Sequence, residues 1–256
     1  MSSKLLKGKP LADKINQDVA DHIQKNNLQK TLSILLIGEK PESLTYIRLK
    51  REKCKEVGIE TLLHTFTKNQ SIQDILETID KLNQQANIHG IIIQLPLPPS
   101  FNQKDEFTLL NRVSPEKDID GFHTYNMGKL VANQPCFIPC TAEACFELIN
   151  YYKISLLGKH VVIIGSSKVV GLPLSILLLH NGATVTLCNK DTNNIQMISN
   201  TADILISACG VPELIHKEWI QEGCILIDVG INHLSNSKKK TIVGDVDLND
   251  VIHKVK

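Results

Sequence analysis

Short apolar runs alternate with helically spaced ones along the whole chain. Leu32-Ser-Ile-Leu-Leu-Ile37 has the character of a strand and stops at Gly38. The stretch from Pro41 to Val57 places Leu44, Ile47, Cys54 and Val57 on one side of a helix, and Gly58 ends it. Ile59 to Phe66 reads as a second strand, and Ser71 to Ala86, with Ile72, Ile75, Leu76, Ile79 and Leu82 at helical spacing, as a second helix. Gly90-Ile-Ile-Ile-Gln94 is a third strand, whose nearly all-apolar, β-branched run suits a parallel sheet covered on both faces. From Asn102 to Pro139 the pattern loosens around Ser114-Pro115, Gly121, Gly128 and Pro135, as at a domain edge. Thr141 can N-cap the next helix, with Ala144, Cys145, Leu148 and Ile149 as its stripe. After Gly158 a second alternation begins. Its strands are expected at His160–Ile164, Thr184–Cys188, Asp203–Ser207 and Ile225–Val229, with a helix from near Val169 between the first two. The pattern predicts an α/β protein built from right-handed βαβ crossovers.

Length and composition narrow the class. At 256 residues the chain has room for about two domains. Its 42% hydrophobic and 21% charged residues describe an ordinary globular protein with a real core. A net charge of +1 gives no long-range pull toward nucleic acid or anionic membrane, so neither is expected as a partner. The basic run Lys238-Lys239-Lys240 reads as a solvated loop tip. Seven cysteines, an odd number without a C-x-x-C pair, point to a reducing, cytoplasmic compartment, with Cys54, Cys188 and Cys224 as small buried hydrophobes. The first residues lack the apolar run of a signal peptide, and no stretch reaches about 18 apolar residues. Nine histidines without H-x-H or H-E-x-x-H spacing give no expectation of a metal site.

Four places offer chemistry. In Ser43-Leu-Thr-Tyr46-Ile-Arg-Leu-Lys50 the phenol and the amine stand at i and i+4, so they share one helical face. A lysine next to an aromatic hydroxyl can lose its proton more easily when buried and then serve as a general base, although an exposed polar face gives the same spacing. Gln94-Leu-Pro-Leu-Pro-Pro99 leaves the carboxyl end of the third strand, where open α/β sheets bind ligands, and Gln94 offers both a donor and an acceptor; a rigid loop with an exposed glutamine is the plainer reading. Lys117-Asp118-Ile-Asp120-Gly121 sets two carboxylates around a turn, which Asx-turn chemistry also explains. His160-Val-Val-Ile-Ile-Gly165-Ser-Ser-Lys-Val-Val-Gly171-Leu-Pro173 is a strand, a small-residue turn and a helix start, the layout that lets backbone N–H groups approach a pyrophosphate. The usual G-x-G-x-x-G is absent, with Ser167 at the second glycine's place. About 20 residues further on stand Lys190, a cation suited to a 2′-phosphate, and Asp191, which could instead accept from ribose hydroxyls. NADP is favoured over NAD.

Together these segments resemble the bifunctional methylenetetrahydrofolate dehydrogenase/methenyltetrahydrofolate cyclohydrolase family. The matching motifs, in family order, are Ser43-x-x-Tyr46-x-x-x-Lys50 with Cys54 and Gly58-Ile59, then Gly90-Ile-Ile-Ile-Gln94-Leu-Pro-Leu97, then Pro115-Glu-Lys-Asp-Ile-Asp120-Gly121. Pro139-Cys-Thr141, Gly165-x-Ser167-x-x-Val170-Gly171-x-Pro173, Asp228-Val-Gly-Ile-Asn232 and Val243-Gly-Asp-Val246 follow. The resemblance implies two α/β domains with a cleft for folate between them: residues 1–137 catalytic, and 138–256 a Rossmann-type parallel sheet for NADP. It implies Lys50 as the catalytic lysine, Tyr46 stacking on the folate, Gln94 tuning the lysine and Asp120 holding the pterin. Gly165, Ser166, Ser167, Gly171, Lys190 and Ile231 fall on its cofactor side. The implied reactions are NADP-dependent oxidation of 5,10-methylenetetrahydrofolate and hydrolysis of the methenyl product to 10-formyltetrahydrofolate, by a homodimer.

The chain departs from the family in places. Ser166 stands where many members carry Arg, and Lys190 is the cation that takes over. Ala142 and Ala144 replace the Pro and Gly of P-C-T-P-x-G. Relatives continue past Val243-Gly-Asp-Val246 through a P-G-G-V-G-P-M-T loop and a last helix. A chain lacking them is expected to be catalytically impaired, and a relative keeping only ligand-binding or subunit-association surfaces is the alternative reading.

Overall fold

β1 (Lys30–Ile37) is apolar on both of its faces, and every residue after Lys30 is buried. The computed structural model describes residues 5–234 and 241–256, which fall into two compact units. In the first, Gly8–Ile138, β1 is the centre of a parallel sheet ordered β2-β1-β3, with β2 at Ile59–Phe66 and β3 at Gly90–Ile93. Leu32, Ile34 and Leu36 meet Ile92 and Ile47 on one face. Leu35 and Ile37 meet Ile91, Ile93, Ile75, Ile79 and Leu82 on the other. A strand read in this way, without alternation, is what a sheet covered on both faces requires. Ile47 comes from α2 (Pro41–Glu56), and Ile75, Ile79 and Leu82 from α3 (Ile72–Gln84), each burial of such a side chain contributing about 1.5–3 kcal/mol. α1 (Gly8–Lys25) buries none of its residues.

The helix predicted over 41–57 is present, but its buried side differs. Leu44 is 45% exposed, and Ser43, Ile47 and Val57 face inward, with Cys54 only half-buried at the rim of that cluster. The loose segment 102–139 contains two further helices, α4 (Gln103–Leu110) and α5 (Thr124–Val131). Asn102 caps α4 by accepting from the N–H groups of Lys104 and Asp105, and Asp105 returns the bond to Asn102 N.

The second unit comprises residues 5–7 and Pro139–Lys256, so the first described residues group with the later part of the chain. Tyr152 Oη donates to Lys7 O at 3.0 Å within it. Its parallel sheet is ordered β5-β4-β6-β7, from β4 (His160–Ile164), β5 (Thr184–Cys188), β6 (Ile204–Ser207) and β7 (Ile225–Asp228). α6 (Cys140–Tyr151) and α7 (Gly171–His180) pack together, α7 lying on β4 and β5. α8 (Ile195–Ser199), a helical turn at Lys217–Trp219, the antiparallel pair β8 (Asn232–Leu234) and β9 (Thr241–Val243), and α9 (Leu248–Val251) complete it. The Lys238–Lys240 run lies outside the described residues.

Three helix details correct the sequence reading. α6 begins at Cys140, because Pro139 O already accepts from Glu143 N, and Thr141 is not its cap. Its buried stripe is Ala142, Cys145 and Ile149, while Ala144 is exposed. α7 begins at Gly171 rather than Val169, since Val170 has non-helical torsions and its N–H is held by Ser167 Oγ. Among the described residues no helix is long and apolar enough to cross a membrane.

Candidate active site

α2 opens with Pro41 in its first turn, where a missing N–H costs nothing, and its buried Ser43 and Ile47 fix which face meets the sheet. That rotation leaves Lys50 half-buried and Tyr46, one turn earlier on the same face, 42% exposed. Gln94 directly follows β3, and its N–H continues the ladder by donating to Leu35 O at 2.9 Å. Lys50 Nζ donates to Gln94 Oε1 at 3.3 Å. Gln94 Nε2 donates to Leu95 O at 2.7 Å, so the amide is oriented with its acceptor toward the amine. Lys40 Nζ reaches Leu97 O at 3.4 Å and ties the proline-rich exit of β3 back to the start of α2. Burial pushes the nearby Cys54 thiol up, against a smaller downward pull from Lys50.

Of the two carboxylates in the Asp118–Asp120 turn, Asp118 is the structural one. It is 4% exposed and accepts from Phe122 N, His123 N and Asn126 Nδ2 at 3.2, 2.9 and 2.8 Å. Turn chemistry therefore accounts for Asp118, while Asp120 remains half-buried beside it. The turn is fixed to β3 because Ile91 N donates to Lys117 O at 2.8 Å, three residues before Gln94. Lys117 Nζ donates to Leu82 O, Asn83 O and Gln85 O at 3.0, 2.7 and 2.8 Å, a cation on the carbonyl end of α3. The structure thus joins Lys50 to Gln94 directly, sets Tyr46 on the lysine's helical face, and holds Asp120 on a loop pinned to the same strand as Gln94.

In the second unit the turn after β4 is built for close backbone approach. A Cβ on Gly165, at φ +114°, would collide with Ala208 O, and one on Gly171 with Gly165 O. The helix start is therefore pressed onto the strand end, as the third glycine of a dinucleotide fingerprint does. Ser166, Ser167 and Lys168 are exposed between them, and Leu172 N donates to Ser167 O at 3.0 Å. This exposed turn of small side chains at the N-terminus of α7 fits a pyrophosphate. Lys190 and Asp191 are exposed after β5, in a turn where Asp191 N donates to Asn189 Oδ1 at 2.9 Å. Ile231 is 56% exposed after β7.

One group was not singled out from the sequence. Asp245 is 0% exposed, and its Oδ2 accepts from Ser207 Oγ (3.1 Å), Cys209 N (2.8 Å), Cys209 Sγ (3.3 Å) and Gly210 N (3.2 Å). Its Oδ1 accepts from Asn232 Nδ2 at 2.9 Å. Burial pushes this carboxyl up, but the bonds from Asn232, Cys209 and Gly210 outweigh it and hold the group below the usual aspartate value. Asp228 completes the pairing by accepting from Asp245 N and Val246 N at 3.0 and 3.1 Å. The signal was present in the Asp228-x-Gly-x-Asn232 and Gly-Asp-Val246 motifs, but sequence spacing does not reveal that they meet.

A lysine–glutamine pair at the end of one parallel sheet, and a glycine turn of dinucleotide-binding type in a second, define a two-unit α/β enzyme with a Rossmann-type unit. Residues 6–120 match the family described as tetrahydrofolate dehydrogenase/cyclohydrolase, catalytic domain, and residues 139–256 match its NAD(P)-binding domain. The chain belongs to the tetrahydrofolate dehydrogenase/cyclohydrolase family. It is 43% identical over 255 residues to "Bifunctional protein FolD" of Chlamydia muridarum, covering 97% of this chain and 88% of the relative. It is 39% identical over 254 residues to the protein of the same name from Anoxybacillus flavithermus, covering 98% and 88%. The crystal structure of the bifunctional enzyme FolD from Campylobacter jejuni superposes with a TM-score of 0.93 at 36% identity, covering 98% of this chain and 89% of that one. That of Trypanosoma brucei FolD, complexed with NADP cofactor and inhibitor, gives 0.92 at 30% identity, covering 99% and 88%.

Proposed function

We propose that this chain oxidises 5,10-methylenetetrahydrofolate with NADP and hydrolyses the methenyl product to 10-formyltetrahydrofolate. The observation that carries this reading is the Lys50–Gln94 contact, standing within the stretch that matches the family's catalytic domain. The methenyl substrate is a cation, and a water molecule must lose a proton as it adds to the methenyl carbon. Lys50 Nζ is the group assigned to take that proton, and Gln94 Oε1 accepts an N–H of the amine and aims it. The half-exposed Tyr46 ring offers an aromatic face against which the folate stacks. Asp120 accepts from the N–H groups of the pterin. A functional lysine pointed at an oriented amide disfavours the reading of this chain as a non-catalytic relative.

For the oxidation, a bound nicotinamide dinucleotide supplies the hydride acceptor. The turn from Gly165 through Ser166 and Ser167 to Gly171 would hold its pyrophosphate, with Ile231 lining the same carboxyl edge of the sheet. Lys190 selects NADP by pairing with the 2′-phosphate. We also infer a homodimer. β2 is an edge strand of its sheet, and beside it a groove of about 550 Å³ is lined by Leu44, Ile47, Ile59 and Leu63 among charged neighbours. An uncovered strand edge next to apolar side chains is a surface that a second copy can close.

The deciding experiment follows NADP reduction with methylenetetrahydrofolate and, separately, the loss of methenyl absorbance. Both signals are expected. Absence of both from folded protein that binds NADP would overturn the assignment.

A further inference from the structure

We infer that Asp245 is a positioning residue for the dinucleotide site, holding in register the loops at the carboxyl edge of the second sheet. This rests on the reading of the Gly165–Gly171 turn as that site. The carboxylate touches two separate segments, Ser207–Gly210 and the start of β8. It binds the peptide after β6 through Cys209 N and Gly210 N, the last residue of β6 through Ser207 Oγ, and the start of β8 through Asn232 Nδ2. Ala208, between Ser207 and Cys209, carries the carbonyl that packs so closely on Gly165 that no Cβ fits there. A shift of that peptide therefore moves the backbone of the glycine turn. On the other side, Asn232 immediately follows Ile231, so the same carboxylate fixes the residue expected to line the cofactor. The strand order places β4 next to β6, with β5 on the other side of β4. The chain thus leaves neighbouring strand ends in opposite directions at the point where an α/β sheet opens to ligand.

The loops converging there come from β4, β6 and β7, and the ladder runs one residue past the strand ends, with Ala208 N donating to Ile164 O and Val229 N to Ser207 O, both at 2.8 Å. A buried acceptor with five donors adds to those bonds and joins the segment after β6 to the one after β7. An amide in the same place cannot accept all five, because its nitrogen would itself be a donor facing one of them. The loops would then keep their fold but lose their register, and a pyrophosphate site depends on register more than on composition.

The test titrates the full chain with NADP, reading Kd and stoichiometry by calorimetry, with the thermal midpoint measured on the same samples. Asp245→Asn is expected to raise the Kd for NADP at least tenfold at full stoichiometry. Dehydrogenase kcat at saturating NADP should fall far less than KM for NADP rises. A purely structural role gives the reverse pattern: reduced stoichiometry from an unfolded fraction, with the surviving fraction binding at the wild-type Kd. That result overturns the proposal. If Asp245→Asn does not fold, Asn232→Ala and Ser207→Ala each remove one donor, and each must raise the Kd severalfold; an unchanged Kd in either overturns it equally. Ser166→Asp separates this proposal from the reading beneath it by putting a negative charge into the turn itself. Weakened NADP binding in Ser166→Asp with wild-type binding in Asp245→Asn rejects only the positioning role. Unchanged binding in Ser166→Asp rejects the site.

Discussion

Gln94 has two ends with different tasks, and that division decides what substitutions at Lys50 and Gln94 should do. Its nitrogen is spent on Leu95 O and its oxygen on Lys50 Nζ. Lys50→Met keeps most of the apolar stem and removes only the amine, so hydrolysis of methenyltetrahydrofolate should vanish while the thermal midpoint stays within a few degrees. A Lys50→Met protein that still hydrolyses the substrate would remove the lysine from the mechanism. At the cofactor, a charge-assisted contact to phosphate is worth about 1.5–3 kcal/mol, or roughly tenfold or more in affinity. Lys190→Ala should therefore weaken NADP binding by that factor and leave NAD binding nearly unchanged, while Ser166→Arg should tighten NADP binding. Equal losses for both dinucleotides in Lys190→Ala would place this side chain in solvent. Asp118→Asn turns an acceptor of three N–H donors into a group with one donor facing them, at a cost of about 1–3 kcal/mol. The urea midpoint should fall, and the KM for folate should rise as Asp120 loses its fixed neighbour.

Among the elements, the legible ones were those whose pattern is enforced by a two-sided core. β1 and β3 carry apolar residues on both faces because α2 and α3 cover both. The positions of Tyr46 and Lys50 on α2 and of Gln94 after β3 could be read because helix and strand periods left little freedom. α4 and α5 were not legible, because eight-residue helices within a stretch punctuated by proline and glycine leave too few periodic positions to register. Their caps were nonetheless written in the sequence, as Asn102 with Asp105 shows. Leu44 was misplaced for a different reason: the sheet ends at β2, so that side of α2 has no further strand to cover it. If the groove there is closed by a second copy, Leu44→Glu should shift the sedimentation coefficient from dimer to monomer without loss of helix content. An unchanged coefficient would move the interface elsewhere.

For the whole molecule, one buried carboxylate links stability to pH. Asp245 titrates below the ordinary aspartate value of 3.8 in the folded protein. A carboxyl depressed on folding contributes stability that is fully present above its unfolded value and is lost as pH falls through its folded value. The stability gap between wild type and Asp245→Asn should thus be largest near neutral pH and shrink once pH drops below 3.8. Urea unfolding at pH 7 and pH 3 measures it, and a gap constant with pH would mean that the charge contributes nothing. The clasp around this carboxylate also bears on how the protein's tolerance to change would be interpreted. A side chain on Gly230 would run into Asp245, and one on Gly244 into Asp228, so neither glycine accepts any replacement. In a saturation mutagenesis screen scored by growth, both positions would register as dead throughout, the same signature as a group that performs chemistry. Both glycines pack on carboxylates of the clasp, Gly230 on Asp245 and Gly244 on Asp228. Soluble yield measured alongside growth tells the two apart: these glycine variants should disappear from the soluble fraction, whereas Lys50 variants should accumulate there as inactive protein.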